Sequence, residues 1–256
     1  MTRFLEWTAW PMIPPRPYGM FHIVFAAVGI LTAFFGARIL AGKSLQTRGK
    51  RRVILAAGLC LLAMEGYKQL FLYEIVGGGR YDWWYFPFQL CSLPMYLCPL
   101  MFFLGESRWG TSVGTFMMDF NLLGGLMVFL EPSGLMHPYL TLTIHGFLWH
   151  ILIIFVGFYI GMSGQGDKSL SGFWRALLIY AIGAVLATLC NVAFAPFGEI
   201  SMFYISPFEP STQIVFHDIA LRFGTGAGIA SYVGATCLGA FLIHLAWKRC
   251  CKEKIR

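Results

Sequence analysis

What most constrains this chain is a repetition: predominantly apolar runs of about twenty residues recur from one end to the other, each long enough to span a bilayer as a helix. Seven can be read, over Phe21–Ala41, Val53–Val76, Pro87–Leu104, Ser112–Leu130, Thr141–Met162, Phe173–Pro196 and Ala227–Trp247. Only 12% of the 256 residues are charged and 57% are hydrophobic, whereas an ordinary soluble domain is about one quarter charged. The expected fold class is all-α, a polytopic membrane bundle of about seven transmembrane helices. Residues 1–20 are expected to form an outer interfacial segment, 21–247 a single bundle and 248–256 a basic cytoplasmic tail. No soluble domain is left over.

The net charge of +7 raises nucleic acid as a partner, but the basic residues sort by side. Lys43, Arg48, Lys50, Arg51, Arg52, Arg108, Lys168, Lys248, Arg249, Lys252, Lys254 and Arg256 fall on one side, and Arg3, Arg16, Arg80 and Arg222 on the other. The positive-inside rule places the N-terminus outside and the C-terminus in the cytoplasm, as an odd number of spans requires. The charge is thereby assigned to orientation and to anionic phospholipid headgroups at the cytoplasmic face, with no nucleic acid. The expected location is the plasma membrane.

Seven cysteines, most inside spans, do not read as a disulfide scaffold. Cys91 and Cys98 share a helical face, but a rise of ~1.5 Å per residue holds them ~10 Å apart. Cys250 and Cys251 beside the membrane are either palmitoylation sites or plain tail residues. The first twenty residues, with acidic and aromatic positions and three prolines after Pro11, are unlike a signal peptide. Trp7 and Trp10 suit headgroup depth, and a frayed terminus is the alternative.

The second span holds Glu65 and Lys68, three apart, a spacing at which opposite charges meet on a helix. The fourth contains Asp119 and Asn121 near its middle, followed by Gly124 and Gly125, and Asp119 is expected to face the bundle interior, with Lys68 as a candidate partner. These four intramembrane polar residues read either as a proton or substrate pathway, making the chain a carrier, or as ties between helices in a non-catalytic scaffold. His22 reads as packing. His217-Asp218 are sequence neighbours that point apart, which argues against a dyad.

Pro87-Phe88-Gln89-Leu90-Cys91-Ser92-Leu93-Pro94 places a thiol at the head of an apolar segment. If the helix begins near Pro87, Cys91 lies just beyond the first turn, where the helix dipole weakly favours a thiolate, and Pro94 loosens the helix by removing a backbone bond. The bland reading is that Cys91 is a small buried hydrophobe. In the fifth span His145 and His150 are five apart, rotated by ~140°, and do not share a face. A zinc pair prefers the i,i+4 spacing, so no metal or cofactor is expected. By depth His145 matches Cys91 slightly better than His150 does. Asn191, at the outer end of the sixth span, is a hydrogen-bonding strut or a site-lining donor.

Phe86-Pro87-Phe88-Gln89-Leu90-Cys91-Ser92 resembles the third-span pattern of the YwaF-like family of integral membrane proteins. Gly124-Gly125 through Glu131-Pro132, Phe147-Leu148-Trp149-His150-Ile151-Leu152-Ile153 and Met202-Phe203-Tyr204 resemble its other short motifs, and the similarity runs from about Glu65 to Asp218. Through distant relatives that are lipid acyltransferases and hydrolases of fatty-acid esters, the resemblance implies Cys91 as nucleophile and His150 as base. Asn191 or a freed backbone N–H would hold the oxyanion, and Gln89 and His145 are further substrate-binding candidates. The substrate would be a lipid entering sideways from the outer leaflet.

Overall fold

Every regular element of the computed structural model, which describes residues 2–252, is a helix, and the one β-bridge among the described residues joins Pro11 to Tyr139. Lys254 and Arg256 of the expected basic tail lie outside the described residues, as do the side chains of Cys251 and Lys252. In chain order the helices are α1 (Thr2–Thr8), α2 (Met20–Gly42), α3 (Thr47–Phe71), α4 (Leu93–Leu104), α5 (Arg108–Phe116), α6 (Leu122–Met127), α7 (Leu140–Ser163), α8 (Leu170–Phe194), α9 (Ile214–Phe223) and α10 (Thr225–Lys252). A π-turn, Leu72–Val76, extends α3, and another, Met117–Asn121, joins α5 to α6.

Five helical stretches are long and apolar enough to cross a membrane: Met20–Gly42, Thr47–Val76, Leu140–Ser163, Leu170–Phe197 and Thr225–Cys250. Their outer faces carry apolar stripes that a soluble protein would bury, such as Val24, Val28, Leu31 and Phe35 on α2 and Ile182, Val185, Leu189 and Val192 on α8. The chain is a polytopic helical membrane protein. Two further stretches, Leu90–Leu104 and the rod from α5 to α6, fall where the third and fourth spans were expected, and neither is among these five. Leu90–Leu104 is shorter than a span, because the chain through Phe86 and Gln89 is extended and helix begins only at Leu90. The α5–α6 rod carries Ser112, Thr115, Asp119 and Asn121, all buried, so its polarity faces neighbouring helices.

Polar ties define the two ends of the bundle. At the amino-terminal end, the N–H of Leu140 donates to the Trp10 carbonyl, Thr8 and Tyr67 share a hydroxyl contact of 2.6 Å, and Leu5 is buried against Phe71, Leu72 and Leu142. The segment before α2 is therefore docked on the bundle, while Trp7 points outward, 70% exposed. At the opposite end Lys50 donates to the Ser163 carbonyl, Arg51 to the Met101 carbonyl and Arg175 pairs with Asp167. Ser107 and Ser169 cap α5 and α8 there by accepting from the N–H groups of Gly110 and Gly172.

Close approach of α3 to α4 depends on Gly58. A Cβ at that position would meet Cys98 Cβ at 2.5 Å and Pro99 Cδ at 2.8 Å. Gly58→Ala is expected to lower stability by about 1–3 kcal/mol through overpacking. Gly66→Ala, on the same helix with nothing within 4 Å, is expected to be neutral or slightly stabilising. Thermal unfolding in detergent separates the two, and equal midpoints would refute the packing argument.

Candidate active site

Cys91 does not sit in the second turn of a helix, as a start at Pro87 would require. It lies in a 3-10 turn, Leu90–Ser92, that precedes α4, and Pro94 falls within the first two positions of that helix, where a missing N–H leaves no bond broken. Pro99 is the proline inside the helix. Phe86 and Gln89 are extended, so Pro87 belongs to the approach strand rather than to a helical turn. The outcome leaves Cys91 in the turn that starts a helix, where the Ser92 N–H donates to the Gln89 carbonyl at 2.8 Å and its own N–H lies against the thiol. Part of the residue remains accessible.

A polar cluster surrounds it. Lys68 Nζ is 2.8 Å from Glu65 Oε1, the pair expected from their spacing, and Gln69 ties the same carboxylate to the Tyr85 carbonyl through two 2.7 Å bonds. The ammonium stands 5.9 Å from the centroid of the Trp149 ring. Trp149 in turn donates its indole N–H to the Cys91 carbonyl at 3.0 Å. The charge of Lys68 reaches Cys91, His145 and His150 alike, so α3, α4 and α7 contribute to one cluster. In the loop beyond, burial first and then the Lys68 charge push His137 below the ordinary histidine range, keeping it neutral.

The two histidines occupy different faces of α7, as their spacing requires. His145 stacks on Trp149 at 5.7 Å and donates Nε2–H to the Met64 carbonyl at 3.1 Å. His150 donates Nδ1–H to the Gly146 carbonyl at 2.7 Å, a bond that leaves Nε2 as the ring's lone pair. No hydrogen bond joins either histidine to the Cys91 thiol.

The roof of the cluster is a buried loop in an uncommon conformation. Phe203 and Tyr204 both have φ of 56°, a region costing about 1–3 kcal/mol per residue unless the surroundings enforce it. Two amides supply that enforcement. Asn191 accepts from the Met202 N–H at 2.6 Å and donates to the Met202 carbonyl at 3.1 Å. Gln89 accepts from the Phe203 N–H at 2.8 Å and donates to the Ser201 carbonyl at 2.9 Å. Both expected oxyanion or substrate donors thus have their amide groups engaged by this loop. The loop carries Tyr204 within electrostatic range of Cys91, and α10 does the same with Tyr232.

Asn121 supports the site from behind, donating to the Leu90 carbonyl at 2.7 Å. Asp119 lies elsewhere. Its expected partner Lys68 is bound to Glu65, and Asp119 Oδ2 meets His244 Nδ1 at 2.8 Å instead, with both residues fully buried. His244 Nε2 donates to the Ser169 carbonyl at 3.0 Å, locking α10 to the α7–α8 loop at the opposite end of the bundle. His244 is a residue that the sequence analysis did not single out, although Tyr232, Thr236, Ala240 and His244 fall on one helical stripe. His217 donates Nδ1–H to the Ser211 carbonyl, 2.9 Å away, and makes no bond to Asp218.

No curated protein and no solved structure matches the chain. A family model does match residues 17–216, and it corrects the resemblance drawn from the segment around Cys91: the family is not the YwaF-like one. With most of its length covered by that match, the chain belongs to the TMEM164 family.

Proposed function

We propose that this protein is a membrane-embedded enzyme of acyl-ester chemistry, a lipid acyltransferase or lipid-ester hydrolase with Cys91 as nucleophile. The observation that carries the reading is the position of Cys91: a partly exposed cysteine in the turn that starts a helix, within range of the Lys68 charge that also reaches His145 and His150, inside an otherwise apolar bundle. In this reading the bundle crosses the bilayer seven times, with the Cys91 end outside and the basic end in the cytoplasm. The substrate is a lipid reaching the cluster from the outer leaflet.

The chemistry proceeds in two transfers. His150 Nε2 takes the Cys91 proton, the thiolate attacks the ester carbonyl, and the backbone N–H groups of the helix start steady the oxyanion. Collapse of the tetrahedral adduct breaks the ester C–O bond, and the imidazolium returns the proton to the departing alcohol. Water or a lipid hydroxyl, deprotonated by the same ring, then attacks the thioester and releases the thiol. Lys68 lowers the energy of the thiolate at each stage, and Glu65 holds Lys68 in place. A carrier reading would need Glu65, Lys68 and Asp119 in one path, and the distance along the bundle between the two pairs counts against it.

The test is acylation of the purified protein by a lipid-like activated ester, mapped by mass spectrometry. Labelling at Cys91 is expected, with loss in Cys91→Ala and a fall of about 10²-fold or more in rate for His150→Ala. His145→Ala is expected to leave most of the rate. Labelling that is absent from Cys91, or indifferent to both histidines, would remove the enzymatic reading.

A further inference from the structure

At the opposite end of the bundle from Cys91 lies a cavity of about 360 Å³, lined by Thr47, Arg48, Arg51, Phe102, Phe103 and Glu106 among others. The stretch Thr47–Val76 has 30 residues and is ~45 Å long as a helix, whereas a hydrocarbon layer measures ~30 Å. The excess is assigned to the end that carries Arg48, Lys50, Arg51 and Arg52, which sets the first turns of α3 at headgroup depth. That helix starts without a side-chain cap: Gln46 precedes it and makes no capping bond, so the first N–H groups are left for another acceptor.

Arg51 supplies an independent pointer. It is only 5% exposed, and its Nη1 and Nε donate to the Met101 carbonyl at 2.7 Å and to Gln165 Oε1 at 3.2 Å. Among the described residues Nη2 makes no hydrogen bond, and the residue lines the cavity. A guanidinium buried this far and left one donor short is a fork built for an oxyanion. Arg48 adds a second cation and Glu106 offsets one charge, so the lining is suited to a monoanion. Phe102 and Phe103 form an apolar wall, and Phe103 is 79% exposed at the bundle surface.

We propose that this cavity binds the phosphodiester of an anionic phospholipid in the adjoining leaflet. The phosphate oxygens sit against Arg51 Nη2, Arg48 and the first N–H groups of α3, and the acyl chains leave along Phe102 and Phe103. A free phosphate shares the polar half of this chemistry and lacks the apolar half. The site is separate from Cys91 and stands whether or not that thiol reacts.

The full chain in neutral detergent would be titrated with dioleoyl phosphatidylglycerol, dioleoyl phosphatidylcholine or inorganic phosphate, and its thermal unfolding followed by tryptophan fluorescence. Phosphatidylglycerol is expected to raise the midpoint saturably, and the other two to have little effect. Arg48→Gln, at an exposed position, is expected to keep the lipid-free midpoint but to require roughly ten-fold more phosphatidylglycerol, the scale of one charge-assisted bond. Arg52→Gln, exposed and outside the cavity lining, is expected to titrate as the wild type. Equal shifts from both lipids, or equal losses in both variants, would reduce the effect to diffuse attraction and overturn the site. A full shift from inorganic phosphate alone would overturn the lipid assignment.

Discussion

His244→Leu is expected to lower the free energy of unfolding by about 3–5 kcal/mol, the scale on which a buried pair loses one partner. His244 Nε2 donates to the Ser169 carbonyl, so its Nδ1 and Asp119 Oδ2 share one proton across 2.8 Å, and the pair is neutral in either arrangement. Without the imidazole, Asp119 must stay charged or take up a proton, and its Oδ1 already lacks a partner among the described residues. Neither state replaces the lost bond. The double variant Asp119→Leu with His244→Leu is expected to recover much of the loss, because apolar residues of similar volume remove the unmet polar groups along with the pair. Denaturant unfolding of the four proteins in micelles gives the coupling. Additive losses would show that the two residues act separately.

Asn191→Leu is expected to destabilise the protein by about 2–3 kcal/mol and to loosen the loop that roofs Cys91. One side chain holds both backbone groups of Met202, which is fully buried; the Met202 carbonyl keeps the Ile205 N–H at 3.3 Å, so the substitution strands the Met202 N–H and removes one of the carbonyl's two donors. Release of the left-handed geometry at Phe203 and Tyr204 returns part of that cost. Hydrogen exchange distinguishes this from general unfolding. Residues 200–206 are expected to exchange faster while the amides of α7 keep their protection, and uniform protection throughout would contradict the clamp.

What sequence alone conveyed here follows from the range over which each interaction acts. The long apolar runs mark α2, α3, α7, α8 and α10 because lipid demands a minimum length, which is a local property. The Glu65–Lys68 pair was legible for the same reason, since three residues on a helix fix their own geometry. Asp119 was not, because its partner lies 125 residues away and nothing local distinguishes His244 from a packed histidine. The start of α4 was misplaced because proline is equally at home in a first turn and in an extended approach. Gln89 and Asn191 were placed near the site, but amides that serve a loop and amides that serve a substrate look alike until the loop is seen. Short motifs around Cys91 suggested the wrong family, whereas a match over residues 17–216 weighs the whole pattern.

The shortness of α4 bears on the bilayer itself. Together with the 3-10 turn before it, from Leu90 to Leu104, α4 spans roughly 24 Å, some 6 Å less than an average hydrocarbon layer. Tyr96, Leu100 and Phe103 along it are exposed, so the mismatch falls on lipid and is not absorbed by a neighbouring helix. Lipids beside α4 must compress to match it, drawing the interface inward along that one flank. The ester linkages of those lipids, which normally ride above the hydrocarbon, are then lowered toward the level of Leu90 and Cys91. Under the acyl-ester function proposed above, a dimple of this kind would bring the polar part of a lipid to the thiol without pulling the molecule out of its leaflet.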